Sequence, residues 1–156
     1  MKLSVDIGGV LEGVDRDFEQ LKQNARPAAQ KMAQAFYDQA RLNVLQLNQV
    51  TGNLYASIYQ KFDTDEERDG FARYIVSWRT GGKSLPRAPH GHLIEFGYVQ
   101  TYARYYKDGQ FYTNKNKKLA KPRAVPAFPF MRNAYEQARA KAVKEGELEL
   151  TAGVAS

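Results

Sequence analysis

Apolar residues three and four apart run through the N-terminal part of the chain. Val14, Phe18 and Leu21 recur at helical spacing, with Asp15, Asp17 and Glu19 near the start, where the helix dipole favours negative charge. Ahead of them Leu3, Val5 and Ile7 alternate with Ser4 and Asp6, as in a short half-buried strand ended by Gly8 and Gly9. A second helix is predicted from about Arg26, with Pro27 in its first turn. Ala25, Ala29, Met32, Phe36, Ala40, Val44 and Leu47 form its apolar stripe, and Gln30, Lys31, Gln34, Asp38 and Arg41 cover the other side. At 1.5 Å per residue this helix is roughly 35 Å long, enough to cross a small sheet.

Beyond Thr51 and Gly52 the period changes. Leu54, Tyr55 and Ile58 form one turn that passes into a strand from Ile58 to Phe62. The run from Asp63 to Gly70 is too charged to bury and ends in Asp-Gly, a turn pair. Phe71 to Thr80 is then the return strand, with Tyr74, Val76 and Trp78 on one face and Ile75 on the other. A loop from Gly81 and Gly82 runs through Pro86 and Pro89 to His90–Gly97. This stretch reads as one buried helical turn, with Leu93 and Phe96 on a common face and Gly97 in the left-handed position that ends it.

Tyr102–Lys107 and Gln110–Thr113 flank Asp108-Gly109, a second hairpin signal. Asn114–Arg123 is polar and basic, and reads as a mobile loop. Pro122, Pro126 and Pro129 hold an extended approach to a last helix. Its stripe is Met131, Ala134, Ala138 and Ala142, flanked by Phe130 and Tyr135, and Gly146 is its predicted stop. The expected fold is α+β: a small antiparallel β-sheet, a long helix from the N-terminal half packed across it, and a C-terminal helix. Residues 1–146 form the single α+β domain of this reading, and 147–156 a flexible tail.

Composition narrows the functional classes. The hydrophobic fraction of 43% and charged fraction of 26% suit a globular chain with a real core. Without cysteine, disulfides and thiolate metal sites are excluded. No apolar run reaches the length of a membrane span and the N-terminus lacks a signal-peptide pattern, so no membrane role is expected. The net charge of +6 suits either plain solubility or an acidic partner.

Candidate chemistry is sparse. His90, His92 and Glu95 lie close together, but a metal centre needs three or four converging ligands and the sequence offers no further cluster near them. The bland alternative has an imidazole bonded to a carbonyl of the turn, and Glu95 accepting from backbone N–H groups or an arginine. Ser57 and Ser84 lack a nucleophile-elbow setting, and Gly81-Gly82-Lys83-Ser84 lacks the first glycine of a phosphate loop. The acidic run from Asp63 to Asp69 reads as a solvated hairpin tip rather than a carboxylate pair. No catalytic residue, metal or cofactor is therefore expected.

A basic, aromatic segment remains. Tyr102, Tyr105, Tyr106, Phe111 and Tyr112 are interleaved with Arg104, Lys107, Lys115, Lys117, Lys118, Lys121 and Arg123. Stacking rings and phosphate-binding cations are what a single-strand nucleic-acid binder uses. Hairpin alternation, however, is expected to bury one aromatic face and leave the lysines in a loop beyond the sheet. A protein partner or oligomer interface built on Tyr105, Tyr112, Lys115, Lys117, Lys118, Lys121 and Arg123 is favoured on that ground, and DNA contact is not.

Three stretches carry a family likeness. His90-Gly91-His92-Leu93-Ile94-Glu95-Phe96-Gly97 resembles the small-His-Leu-Val-Glu-Phe-Gly box of the tail-completion, or head–tail joining, proteins of long-tailed bacteriophages. Thr51-Gly52-Asn53-Leu54-Tyr55-Ala56-Ser57-Ile58 is similar to their Thr-Gly-x-Leu-x-x-Ser-Ile box. Pro126-Ala127-Phe128-Pro129-Phe130-Met131-Arg132 is similar to their Pro-x-x-Pro-Phe-Leu-Arg box, and Gly9–Asp15 is looser kin of their usual start. Tyr98–Arg123 departs from the pattern in being longer and more basic. The resemblance implies a structural virion protein, assembled in the host bacterial cytoplasm and seated at the head–tail junction. It implies a homo-oligomeric ring, hexameric in the family, touching a tail terminator or tail tube and a head connector. His92, Leu93, Glu95, Phe96, Gly97, Pro129 and Phe130 would then anchor the fold rather than catalyse. The alternative reading is a small basic DNA-binding accessory protein.

Overall fold

The computed structural model describes residues 8–47, 52–66, 68–82, 86–108 and 110–154. The expected strand at Leu3–Ile7 lies outside them, as do Thr51 and Ser84. Helix α1 spans Gly8–Leu45, α2 Asn53–Ser57, β1 Ile58–Phe62, β2 Tyr74–Trp78 and α3 Gly91–Phe96. Strand β3 spans Tyr98–Lys107, β4 Gln110–Val125, and α4 Phe130–Leu150. The class is α+β, with two antiparallel two-stranded sheets, β1–β2 and β3–β4, where one sheet was expected.

The two helices predicted on either side of Arg26 are a single helix, α1, with Pro27 inside it. Proline removes one backbone bond and crowds the preceding turn. Here its ring is exposed, and the alanine-rich turns that follow bury Ala28, Ala33, Ala35, Ala40 and Val44, which outweighs one lost bond. Gly8 and Gly9 open this helix. Val14 and Phe18, expected on its apolar face, are exposed, and Lys22 lies over the Phe18 ring at 4.6 Å.

The chain divides into two compact units. One comprises Met1–Ala35, Lys61–Ile75 and Arg139–Ser156. In it α1 and α4 pack at Gly146, where an added Cβ would stand 2.5 Å from Met32 Cγ. Gly146 is thus a close-approach residue inside α4, not the predicted stop. The helix continues through Leu150, and Asn24 Nδ2 donates to the Leu150 and Ala152 carbonyls at 2.9 and 2.8 Å, holding the segment read from sequence as a frayed tail. On the β1–β2 connection, Lys22 pairs with Asp69 at 3.0 Å, and Arg73 pairs with Asp63. Gly70 turns there with φ +71°, as the Asp-Gly signal requires.

The other unit comprises Phe36–Gln60 and Val76–Ala138. Its core joins Ala40, Val44, Leu54, Ile58, Ala88, Phe130 and Ala134, with Trp78, Ile94, Phe128 and Met131 packed against it. Trp78 meets Phe130 edge-on, with ring centroids 5.5 Å apart. α1 and α4 meet again here through stacked Phe36 and Tyr135 and through Asn43, whose Nδ2 donates to the Phe130 carbonyl at 3.1 Å.

Candidate functional site: an anchoring knot and a basic aromatic ribbon

Both the anchoring residues and the basic aromatic segment lie in the second unit. Glu95 is only 2% exposed, yet every partner a carboxylate needs is in place. Its Oε2 accepts from the Met131 N–H at 2.9 Å, and Oε1 accepts from the Arg132 N–H at 3.2 Å and from Arg132 Nε at 3.0 Å. Arg132 Nη2 in turn donates to the Glu95 carbonyl at 2.8 Å. The carboxylate therefore caps the first turn of α4, where free N–H groups and the helix dipole favour an anion. The Phe128 N–H donates to the Ile94 carbonyl at 2.8 Å and sets the approach through Pro129.

The sequence reading foresaw Glu95 bonded to backbone N–H groups or an arginine. It misplaced the buried face. Phe96 is 65% exposed, with the Arg132 guanidinium 5.0 Å from its ring centroid, and Leu93 is half-buried. The buried positions of α3 are Gly91 and Glu95, four apart. Gly91 is buried against the Trp78 indole, with no room for a Cβ. Gly97 does not take the left-handed helical conformation but φ +73°, ψ 171°, a region open to glycine, and an added Cβ would stand 2.8 Å from the Ala127 nitrogen and the Val125 oxygen.

His92 Nδ1 lies 2.9 Å from the Pro89 carbonyl, the turn-closing bond expected of one imidazole. Among the described residues no group of three His, Asp or Glu side chains could hold a metal ion. His90 has its pKa lowered, first by burial of the ring and then by the charges of Arg104 and His92. The third box joins the same core. Leu54 and Ile58 are buried there, and Ser57, wholly buried, donates through Oγ to the Leu54 carbonyl at 2.8 Å. All three boxes thus meet in one unit, and Glu95 ties two of them together.

The basic segment is not a loop. β4 has 16 residues against ten in β3, and the six extra are taken up at irregularities between Gln100 and Tyr102 and between Tyr102 and Ala103. Lys115 and Lys117 fall in one irregular stretch, Lys121 and Pro122 in the other, while Lys118 faces Tyr102 and Arg123 faces Gln100. A strand proline is tolerated at such a place, where its missing N–H breaks no ladder bond. Asn114–Arg123 was read as mobile because it has almost no apolar residues to bury. The segment is nonetheless extended strand, tied to β3 at Asn114, Lys118 and Arg123.

Nor is one aromatic face buried. Tyr105 opposes Tyr112 on one face, with centroids 5.6 Å apart and planes 22° apart, and Tyr106 opposes Phe111 on the other at 5.0 Å. All four rings are exposed. Arg104 donates through Nη1 to the Tyr98 hydroxyl at 2.7 Å and lies within 6 Å of the Tyr98 and Phe111 rings, at 5.6 and 5.9 Å. Sequence reasoning also missed Asn43, a buried amide between Ala40 and Val44. A polar residue beside two apolar stripe positions was the available signal.

Among the described residues no helix is long and apolar enough to cross a membrane. Comparison with protein-family models, with curated proteins and with solved structures finds no match to this chain.

Proposed function

We propose that this chain is a structural virion protein, a subunit of a ring that completes a phage tail at its head-proximal end and joins it to the head connector. The observation that carries this is the convergence of the three boxes. Stretches far apart in sequence, chosen only for their likeness to tail-completion proteins, build one core and one buried carboxylate knot. The knot shapes the fold and offers no reacting group: Glu95 has its oxygens committed to α4 and Arg132.

The mechanism is ordered assembly. Large apolar side chains left exposed in the single chain, such as Leu42, Leu45 and Phe96, supply surface for neighbouring subunits to cover. The number of subunits, six in the family, comes from the resemblance alone, as do the tail terminator or tube and the connector as neighbours. Phage particles made without this chain test the proposal. Filled heads and finished tails should accumulate unjoined, and addition of the purified chain should join them. Normal joined particles in its absence would refute the role.

A further inference from the structure

We infer that the β3–β4 ribbon binds nucleic acid through its phosphate backbone, independently of base sequence. From Tyr98 to Val125 the chain carries seven Lys and Arg against one carboxylate, Asp108, a net charge of +6. Removing these from the totals of 23 basic and 17 acidic residues leaves 16 of each, so the rest of the chain is neutral. The whole net charge of the protein sits on one two-stranded ribbon. All seven cations are exposed, and among the described residues none of them makes an ion pair.

From the sequence, nucleic acid is disfavoured by two expectations: one aromatic face in the core, and lysines in a loop beyond the sheet. In the structure neither holds. Ring pairs are exposed on both faces, and five of the cations lie within β4, Lys118 and Arg123 paired to β3 and Lys115, Lys117 and Lys121 in its irregular stretches. A protein partner suits this surface less well, because lysine is depleted in protein interfaces and five of the seven cations are lysine. Lysines on exposed strand edges do guard against aggregation, but that accounts for the cations alone and not for the rings beside them. Cations beside rings are the elements of a sequence-independent grip, with phosphates on the cations and base or sugar faces on the rings. A two-stranded ribbon also fits the major groove of a duplex. Ten residues of β3 extend about 33 Å, close to one helical turn of DNA. The inference stands apart from the ring proposal, since it concerns the isolated chain.

Fluorescence anisotropy of the full chain with mixed-sequence single-stranded and duplex oligonucleotides tests it, from about 50 to about 200 mM salt. Binding to at least one of the two, unchanged when the base sequence is scrambled, is expected. Each lost phosphate contact flattens the plot of log K against log salt by about 0.9 on duplex and about 0.7 on a single strand. Lys115→Ser, Lys117→Ser and Lys118→Ser together should therefore flatten it by about two to three. Lys121→Ser with Arg123→Ser, further along β4, should flatten it by about one to two, which covers the case in which the triple variant misfolds. No binding at the lowest salt, or an unchanged slope in a folded variant, would overturn the inference. So would displacement of the oligonucleotide by polyglutamate at equal charge concentration, which would assign the ribbon to an acidic protein instead.

Discussion

Glu95 and Phe96 are neighbours with opposite fates. Glu95 is buried and holds the start of α4, whereas Phe96 stands in solvent over Arg132. Hydrogen bonds to a charged group are each worth about 1.5–3 kcal/mol, and their loss leaves the part-buried Met131 and Arg132 N–H groups without the carboxylate. Glu95→Ala is therefore expected to lower the unfolding free energy by at least about 3 kcal/mol in a urea titration, and Phe96→Ala by less than about 1 kcal/mol. Phe130→Ala, in the core, should cost about 3–5 kcal/mol. If Phe96→Ala proves as costly as Phe130→Ala, the orientation of α3 is wrong. Gly97→Ala should cost at least about 2 kcal/mol, because it combines a positive φ with a clash against backbone that cannot swing away.

His90 adds a pH dependence at the same scale. Its pKa is depressed in the fold, so the folded state resists protonation there. Its contribution to stability is full above the ordinary histidine value of 6.5 and is lost as pH falls below it. His90→Asn should flatten the change in urea midpoint between about pH 7.5 and about pH 5.5, by a small amount because the ring is only partly buried. An identical pH profile in the variant would contradict this. The role of Glu95 was legible in sequence because a carboxylate beside an apolar turn needs donors. The burial of Phe96 was misread because a six-residue helix shows too little periodicity to reveal which face is inside.

At the scale of elements, burial separates what could be read from what could not. The stripe of α4 at Ala134, Ala138 and Ala142 is buried as its spacing implies. Pro27 suggested a helix start because proline is favoured there, but propensity alone does not end a helix whose neighbouring turns are packed. β4 left no pattern, since both faces of its ribbon meet solvent and no alternation is selected. Its hairpin turn was legible from Asp108-Gly109, and Asp108 does take a positive φ of 50°. An isolated two-stranded ribbon is marginal, so cross-strand rings matter to it. Tyr105→Ser is expected to cost about 0.2–1 kcal/mol locally, seen as faster amide exchange in β3 and β4 with unchanged exchange in α4. Exchange that speeds up equally in both would show that the ribbon is not a separate layer of stability.

At the scale of the whole molecule, the chain combines a fold-anchoring knot, exposed apolar side chains that the proposed ring would cover, and one ribbon that carries the net charge. Composition gave the total of +6 but not its location, because only strand pairing, with Lys118 against Tyr102 and Arg123 against Gln100, puts the lysines of β4 on one ribbon with Arg104 and Lys107. The position of the chain in a particle tests the central claim most directly. Phage particles carrying a tagged copy, labelled and imaged by electron microscopy, should show the label as a single ring at the junction of head and tail. Label at the distal tail tip, along the tube, over the head shell, or absent from purified particles would contradict the proposed function.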